Sequence, residues 1–156
     1  MHMNLEAIGS VEGGRVRAED DFWGDTEATI VLDERFPEEA LDGIESFSHV
    51  EVLFYFDRVD PAKIVTGTRS PRNRADLPQV GIFAQRGRNR PNRIGSTICR
   101  IVRRQGRRLV VAQLDTIDGT PVLDLKPVLV EFLPRDPIRQ PDWTHELMRD
   151  YWSKRG

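Results

Sequence analysis

The chain has 156 residues, 38% hydrophobic and 31% charged, with a net charge of −2. These proportions fit one globular domain with its own core and exclude a disordered tract or two full domains. No apolar run approaches the ~20 residues of a bilayer-spanning helix, and MHMNLEAIGS lacks the basic start and apolar centre of a signal peptide, so a cytoplasmic protein is expected.

In chain order, Leu5 to Val11 can start a strand, and EDDFWGD then sets Trp23-Gly24 among carboxylates. An aromatic there either stacks on a ligand or anchors the loop to the core. Glu27 to Leu32 alternates apolar Ala28, Ile30 and Leu32 with their neighbours, the period of a strand. Pro37 to Leu41 can form a helical turn, ended near Gly43. Ser48 to Val59 is the clearest strand, with Val50, Val52, Phe54 and Phe56 on one face. Leu53 and Tyr55 make its second face partly apolar as well, which points to a central position or a subunit contact. Pro61 to Pro78, rich in Thr, Gly, Ser, Pro and basic residues, reads as a long mobile loop.

The stretch GIFAQRGRNRPNRIGSTICRIVR, Gly81 to Arg103, reads as strand, arginine-dense loop, strand. Pro91 fixes its own φ and pushes Arg90 toward extended geometry, so the loop is expected to be shaped. Ser96 to Val102 and Arg107 to Leu114 pair as a hairpin, Asp115 to Thr120 is a turn by its Asp-Gly step, and Pro121 to Val130 is a further strand that Pro127 bends or places at an edge. Trp143, Leu147 and Tyr151, four residues apart, predict a helix over 141–154. Many short strands and few helices argue for a mainly β fold, a small single-domain β-barrel over 1–156 with its core at about 5–133, a long basic loop and a short C-terminal helix.

Charge is distributed unevenly along this order. Residues 1–57 carry 3 Lys+Arg against 15 Asp+Glu, residues 58–108 carry 14 against Asp60 and Asp76 alone, and residues 109–156 carry 6 against 8. Nine arginines lie between Arg86 and Arg108 without an intervening acid. A basic centre of this kind predicts an anionic partner, nucleic acid or a phosphorylated small molecule. The alternative is that the acidic first third folds against it.

Other chemistries lack their residues. There is no GxGxxG after a strand, no GxxxxGK[ST] and no GxSxG elbow. Three scattered histidines and one cysteine make no zinc set, so no metal is expected. Cys99 in an apolar run reads as a buried structural thiol, and His49 as a hydrogen-bonding residue at a strand start, with a general base as the alternative.

Three blocks in order, LDGIESFSHVEVLFYF, GIFAQRGRNRPNRIG and DGTPVLDLKP, resemble the TsaA-like (TrmO-type) β-barrel methyltransferases, and the resemblance runs from about Ile8 to Phe132. It implies an S-adenosyl-L-methionine-dependent methyltransferase working as a homodimer, with cofactor near the subunit contact. Its tRNA members methylate N6 of a threonylcarbamoyl-modified adenosine beside the anticodon. Position by position, the resemblance implies cofactor contacts at Arg86, Ser96, Asp57, Arg58, Leu114, Asp115, Thr116 and Ile117, with Trp23 in the N-terminal cofactor segment. Asn89, Arg90 and Asn92 shape the loop and, with Arg88 and Arg93, are expected on the substrate side, the arginines facing phosphates, while the resemblance sets Asp124 and Lys126 in the pocket or in dimer support. For Asp124 and Lys126 a simple ion pair is the alternative.

The loop departs from the family's TRSPFRPNPIG at Gln85, Gly87-Arg88-Asn89 and Arg93. That keeps two further readings open, methylation of a small-molecule acceptor and a non-catalytic RNA-binding module. In the methyltransferase readings a carboxylate such as Asp115 or Asp57 holds the donor's ribose or amino group while Arg86 pairs with its carboxylate.

Overall fold

The computed structural model describes residues 1–156. Six strands close into an antiparallel barrel: β1 (Gly9–Glu12), β2 (Glu27–Leu32), β3 (His49–Tyr55), β6 (Ile94–Gln105), β7 (Arg108–Ala112) and β8 (Pro121–Pro127). Their order around the barrel is β1-β2-β7-β6-β3-β8, and closure leaves no edge strand to protect. The remaining pair, β4 (Thr68–Arg69) and β5 (Val80–Gly81), forms a small separate ribbon.

The alternation read in the sequence is the barrel's inside and outside. In β2, Ala28, Ile30 and Leu32 point inward; in β3, Val50 and Val52 are wholly buried and Phe54 is 2% exposed. With Val11, Cys99, Leu109, Val111, Leu114 and Val122 they form one core. Each such apolar side chain contributes roughly 1.5–3 kcal/mol on burial. β3 is central, paired to β6 on one side and to β8 on the other, which accounts for its partly apolar second face. β6 is long enough to serve two neighbours: its first half pairs with β3 and its second with β7, with a register shift between Ile101 and Arg103.

Four expectations change. The segment 61–78 is not a structureless loop, since it holds short 3-10 turns at Pro61–Lys63 and Pro71–Asn73 and strand β4. Its prolines and glycines punctuate a folded ribbon, because β4 pairs with β5. GIFA is not a barrel strand: Gly81 ends β5 and Ile82–Ala84 is a 3-10 turn, so the arginine-rich loop enters the barrel only at β6. The hairpin between β6 and β7 is tighter than expected: β6 runs on past Val102 to Gln105, and the turn is Gly106-Arg107 alone, with Gly106 at φ +60°.

The C-terminal helix, α1, covers only Asp142–Leu147. Trp143, Leu147 and Tyr151 are all partly buried, as their spacing requires, but Tyr151 reaches its contacts from a turn beyond the helix. Main-chain bonds from Phe22 N to Asp150 O (3.0 Å), Trp23 N to Tyr151 O (2.8 Å) and Gly24 N to Ser153 O (3.2 Å) take over where helix bonds would have continued. No helix is long and apolar enough to cross a membrane.

Candidate functional site

One end of the barrel gathers most of the residues singled out in the sequence. Tyr55 at the end of β3 pairs with Ile94 at the start of β6, and Phe54 pairs with Val122 at the start of β8. The turn after β7 is tied to the same end, because Arg58 Nη2 donates to Asp118 O at 3.1 Å and Gly13 N to Asp118 Oδ1 at 2.8 Å. Asp57, Arg58, Ser96, Asp115, Thr116 and Ile117 therefore share a rim. Leu114, wholly buried in the core, offers a ligand only its main chain.

Asp115 is the hub of this rim. Thr97 Oγ1 donates to its Oδ1 and the Tyr151 hydroxyl to its Oδ2. Burial, and then the Asp115 charge, push the Tyr151 phenol well above its ordinary range, so it stays a donor. Arg72 and Arg86 both lie near enough for their charges to act on that phenol. Arg86 Nη2 donates to Ser96 O at 2.6 Å, while Ser96 Oγ donates to Glu51 Oε1 at 2.7 Å. Thr97, Tyr151 and Arg72 carried no local signal in the sequence. Arg72 is held by Asp21 at 3.0 Å, across 51 positions of chain.

Trp23 is 3% exposed and carries the Arg15 guanidinium over its ring at 3.9 Å, contacts that anchor its loop. Its Nε1 and the Oγ1 of Thr116 are buried without hydrogen-bond partners. Leaving such atoms unpaired costs roughly 1–3 kcal/mol each.

Apart from Arg86, the arginines of this stretch divide into three groups. Arg104 pairs with Asp42 at 2.7 Å and Arg108 with Glu12 at 2.8 Å, while Arg107 donates to the carbonyls of Asp33 and Phe36. The acidic first third thus does fold against this part of the cluster. Arg90 and Arg93 shape the loop instead of projecting from it. Arg90 donates to Gln85 O at 2.8 Å; Arg93, at φ +51°, donates to Val59 O at 3.2 Å and lies 4.7 Å over the Tyr55 ring. Asn89 O accepts from Val65 N at 2.8 Å, which ties the loop to the segment before β4. Asn92 is exposed, and Arg88, Arg100 and Arg103 are exposed without an ion pair.

An open cleft of about 590 Å³ lies elsewhere, lined by Arg15, Glu19, Asp25, Glu27 and Arg155 among others and by none of the residues predicted from sequence. Three of its charges are spent on each other, Glu19 pairing with both Arg15 and Arg155. The Asp115 rim, with its unsatisfied buried polar atoms, is the better candidate.

Residues 18–132 match the family described as tRNA-methyltransferase O N-terminal domain. The chain belongs to this family. It is 36% identical over 96 residues to the mouse tRNA (adenine(37)-N6)-methyltransferase, covering 62% of this chain and 22% of that protein. To a Pyrococcus abyssi protein named as a probable S-adenosyl-L-methionine-binding protein it is 39% identical over 117 residues, 74% of this chain and 59% of that one. The crystal structure of TrmO from Pseudomonas aeruginosa superposes with a TM-score of 0.73 at 28% identity, over 92% of this chain and 62% of that chain. The chain thus spans under two thirds of the length of each of these relatives.

The donor set of the Asp115 rim fits S-adenosyl-L-methionine. Asp115 accepts hydroxyl or amino protons, the Arg86 guanidinium matches a carboxylate, and Thr116 Oγ1, next along the chain, is a buried polar atom that lacks a partner. Other residues serve the frame. Lys126 Nζ lies 3.5 Å from Asp124 Oδ2, both half exposed, an ion pair within strand β8. Cys99 is wholly buried and its thiol is pushed far up by burial, the inert thiol expected. His49 Nδ1 is 2.6 Å from Ser48 Oγ. No group of His, Cys, Asp and Glu capable of holding a metal ion occurs.

Proposed function

We propose that this chain is a cytoplasmic S-adenosyl-L-methionine-dependent methyltransferase domain that modifies N6 of a modified adenosine in tRNA and works as a homodimer. The observation that carries the reading is the Asp115 rim, where a carboxylate held by Thr97 and Tyr151, the neighbouring unpaired Thr116 hydroxyl and Arg86 share one end of the barrel in a family with relatives named for this reaction. When bound, the sulfonium donor supplies an activated methyl group to the acceptor nitrogen.

The chain's own residues bind and orient. Asp115 holds a ribose hydroxyl or amino group, and Arg86, already fixed through Ser96 O, presents its remaining N–H groups to a carboxylate. Positioning of this kind accounts for roughly 7–11 kcal/mol in well-oriented two-substrate reactions, and no nucleophilic side chain is needed. Arg88, the loop arginine without an internal partner, meets phosphate, which sets the register of the RNA without reading its bases. The homodimer reading is supported by an apolar strip on the barrel exterior, Ile98, Leu129, Val130, Phe132 and Leu133, with Phe132 85% exposed.

The test is transfer of labelled methyl from S-adenosyl-L-methionine to tRNA that lacks the native modification. Label on N6 of one adenosine is the expected result. Label on small molecules alone would move the acceptor to that class, and no transfer with intact RNA binding would leave a non-catalytic module.

A further inference from the structure

The residues that close one side of the candidate donor site come from outside the family match. The match ends at Phe132, yet Tyr151 is the group that donates to Asp115 Oδ2. The segment carrying it is bolted down at several points. Three main-chain bonds join residues 150–153 to residues 22–24. Glu146 Oε1 accepts from Arg74 at 3.1 Å, and Arg155 pairs with Glu19 while lying 5.9 Å over the Phe22 ring. Gly24 is required where the segment passes: a Cβ there would sit 1.9 Å from Trp152 O. Tyr151 itself packs edge-on against Trp152, with ring centroids 4.9 Å apart.

Of these contacts only that of Tyr151 reaches Asp115; the others fix the segment that carries it. We infer that residues 142–155 form a positioning strap for the donor site, in which the Tyr151 hydroxyl fixes the rotamer of Asp115 and leaves its remaining lone pairs free for the donor's polar groups. The inference rests on the proposed role of Asp115 in donor binding. A free aspartate samples several rotamers; one held at Oδ1 by Thr97 and at Oδ2 by Tyr151 is preorganised, and the ordering cost is met on folding instead of on binding. Tyr151 is well suited because its raised pKa keeps the hydroxyl protonated. The strap also pairs with the Trp23 main chain, so it fixes the backbone of the segment that carries the unpartnered indole N–H.

The experiment is calorimetric titration of the full chain with S-adenosyl-L-homocysteine, which binds without turnover. Tyr151→Phe is expected to weaken binding roughly tenfold, as loss of a hydrogen bond to a charged group does. Gly24→Ala, which displaces the strap without touching Asp115, should give a similar loss. In an Asp115→Asn background Tyr151→Phe should add nothing, since the tyrosine acts through the carboxylate. In turnover the donor KM rises while kcat stays within twofold. Tyr151→Phe binding within twofold of the parent chain, or losses that add in the double variant, would overturn the strap alone. A parent chain that does not bind the ligand would overturn the donor site and the strap with it.

Discussion

Gly95→Ala tests the link between the arginine loop and the barrel. Gly95 stands opposite Phe54 in the β3–β6 pairing, one residue before Ser96, whose carbonyl holds Arg86. A Cβ at this position would lie 2.4 Å from Phe54 Cε2, 2.5 Å from its Cζ and 2.9 Å from Phe56 Cζ. Neither ring can easily give way: Phe54 is 2% exposed in the core and packs edge-on against Phe56 at 5.2 Å. An extra methyl forced into such a place costs about 1–3 kcal/mol. For a domain of this size each kcal/mol lowers Tm by roughly 2–4 °C, so the expected fall is about 2–12 °C by calorimetry or circular dichroism. Because the strand must shift, Ser96 O moves from the Arg86 guanidinium and donor affinity falls as well. Adding Phe54→Leu makes room, so the double variant should be more stable than the sum of its parts by about 0.5–3 kcal/mol. A Gly95→Ala chain with unchanged Tm, or a double variant that is simply additive, would refute this account of the packing.

Alkaline stability follows from Cys99 and Tyr151, both held protonated by burial. The unfolded chain releases these protons above roughly pH 9 and the folded chain does not, so stability is full below that pH. It falls as pH rises, by up to ~1.4 kcal/mol per unit and group. Urea midpoints at pH 8 to 11 check this: they should drop, and drop less in Tyr151→Phe, whereas a flat profile to pH 11 would contradict it. Arg88→Ala should weaken tRNA binding and reduce the slope of log K against log salt by roughly 0.7–0.9, with donor affinity intact; Arg93→Ala should instead lower Tm, because that side chain supports Val59 O and Tyr55. Equal effects of both on the salt slope would show that the division of the arginines is mistaken. Phe132→Asp should convert a dimer to a monomer in sedimentation equilibrium, and a monomeric parent chain would remove the dimer from the proposal.

What the sequence shows clearly is what local periodicity controls. Glu27 to Leu32 is strand β2 to the residue, and the alternation of Val50, Val52 and Phe54 gives the core face of β3. The closed barrel follows from many short strands of this kind. Tertiary contacts decide the rest. The arginines look unneutralised because no acid lies near them in the chain, but Asp42 and Glu12 arrive from 62 and 96 positions away. The spacing of Trp143, Leu147 and Tyr151 has the helical period, yet main-chain bonds to residues 22–24 stop the helix after Leu147. In the site, Asp115 was legible through the resemblance of its block, while its partners Thr97 and Tyr151 were not, since nothing local marks a threonine in a strand or a tyrosine after a helix as a ligand to a distant carboxylate.

The most direct measurement is a crystal structure of the full chain with S-adenosyl-L-homocysteine. The account predicts the ligand at the rim where β6 begins and β7 ends, with Asp115 on a hydroxyl or amino group and Arg86 on the carboxylate. Ligand density in the open cleft beside Arg15 and Glu27, with Asp115 and Arg86 untouched, would contradict it.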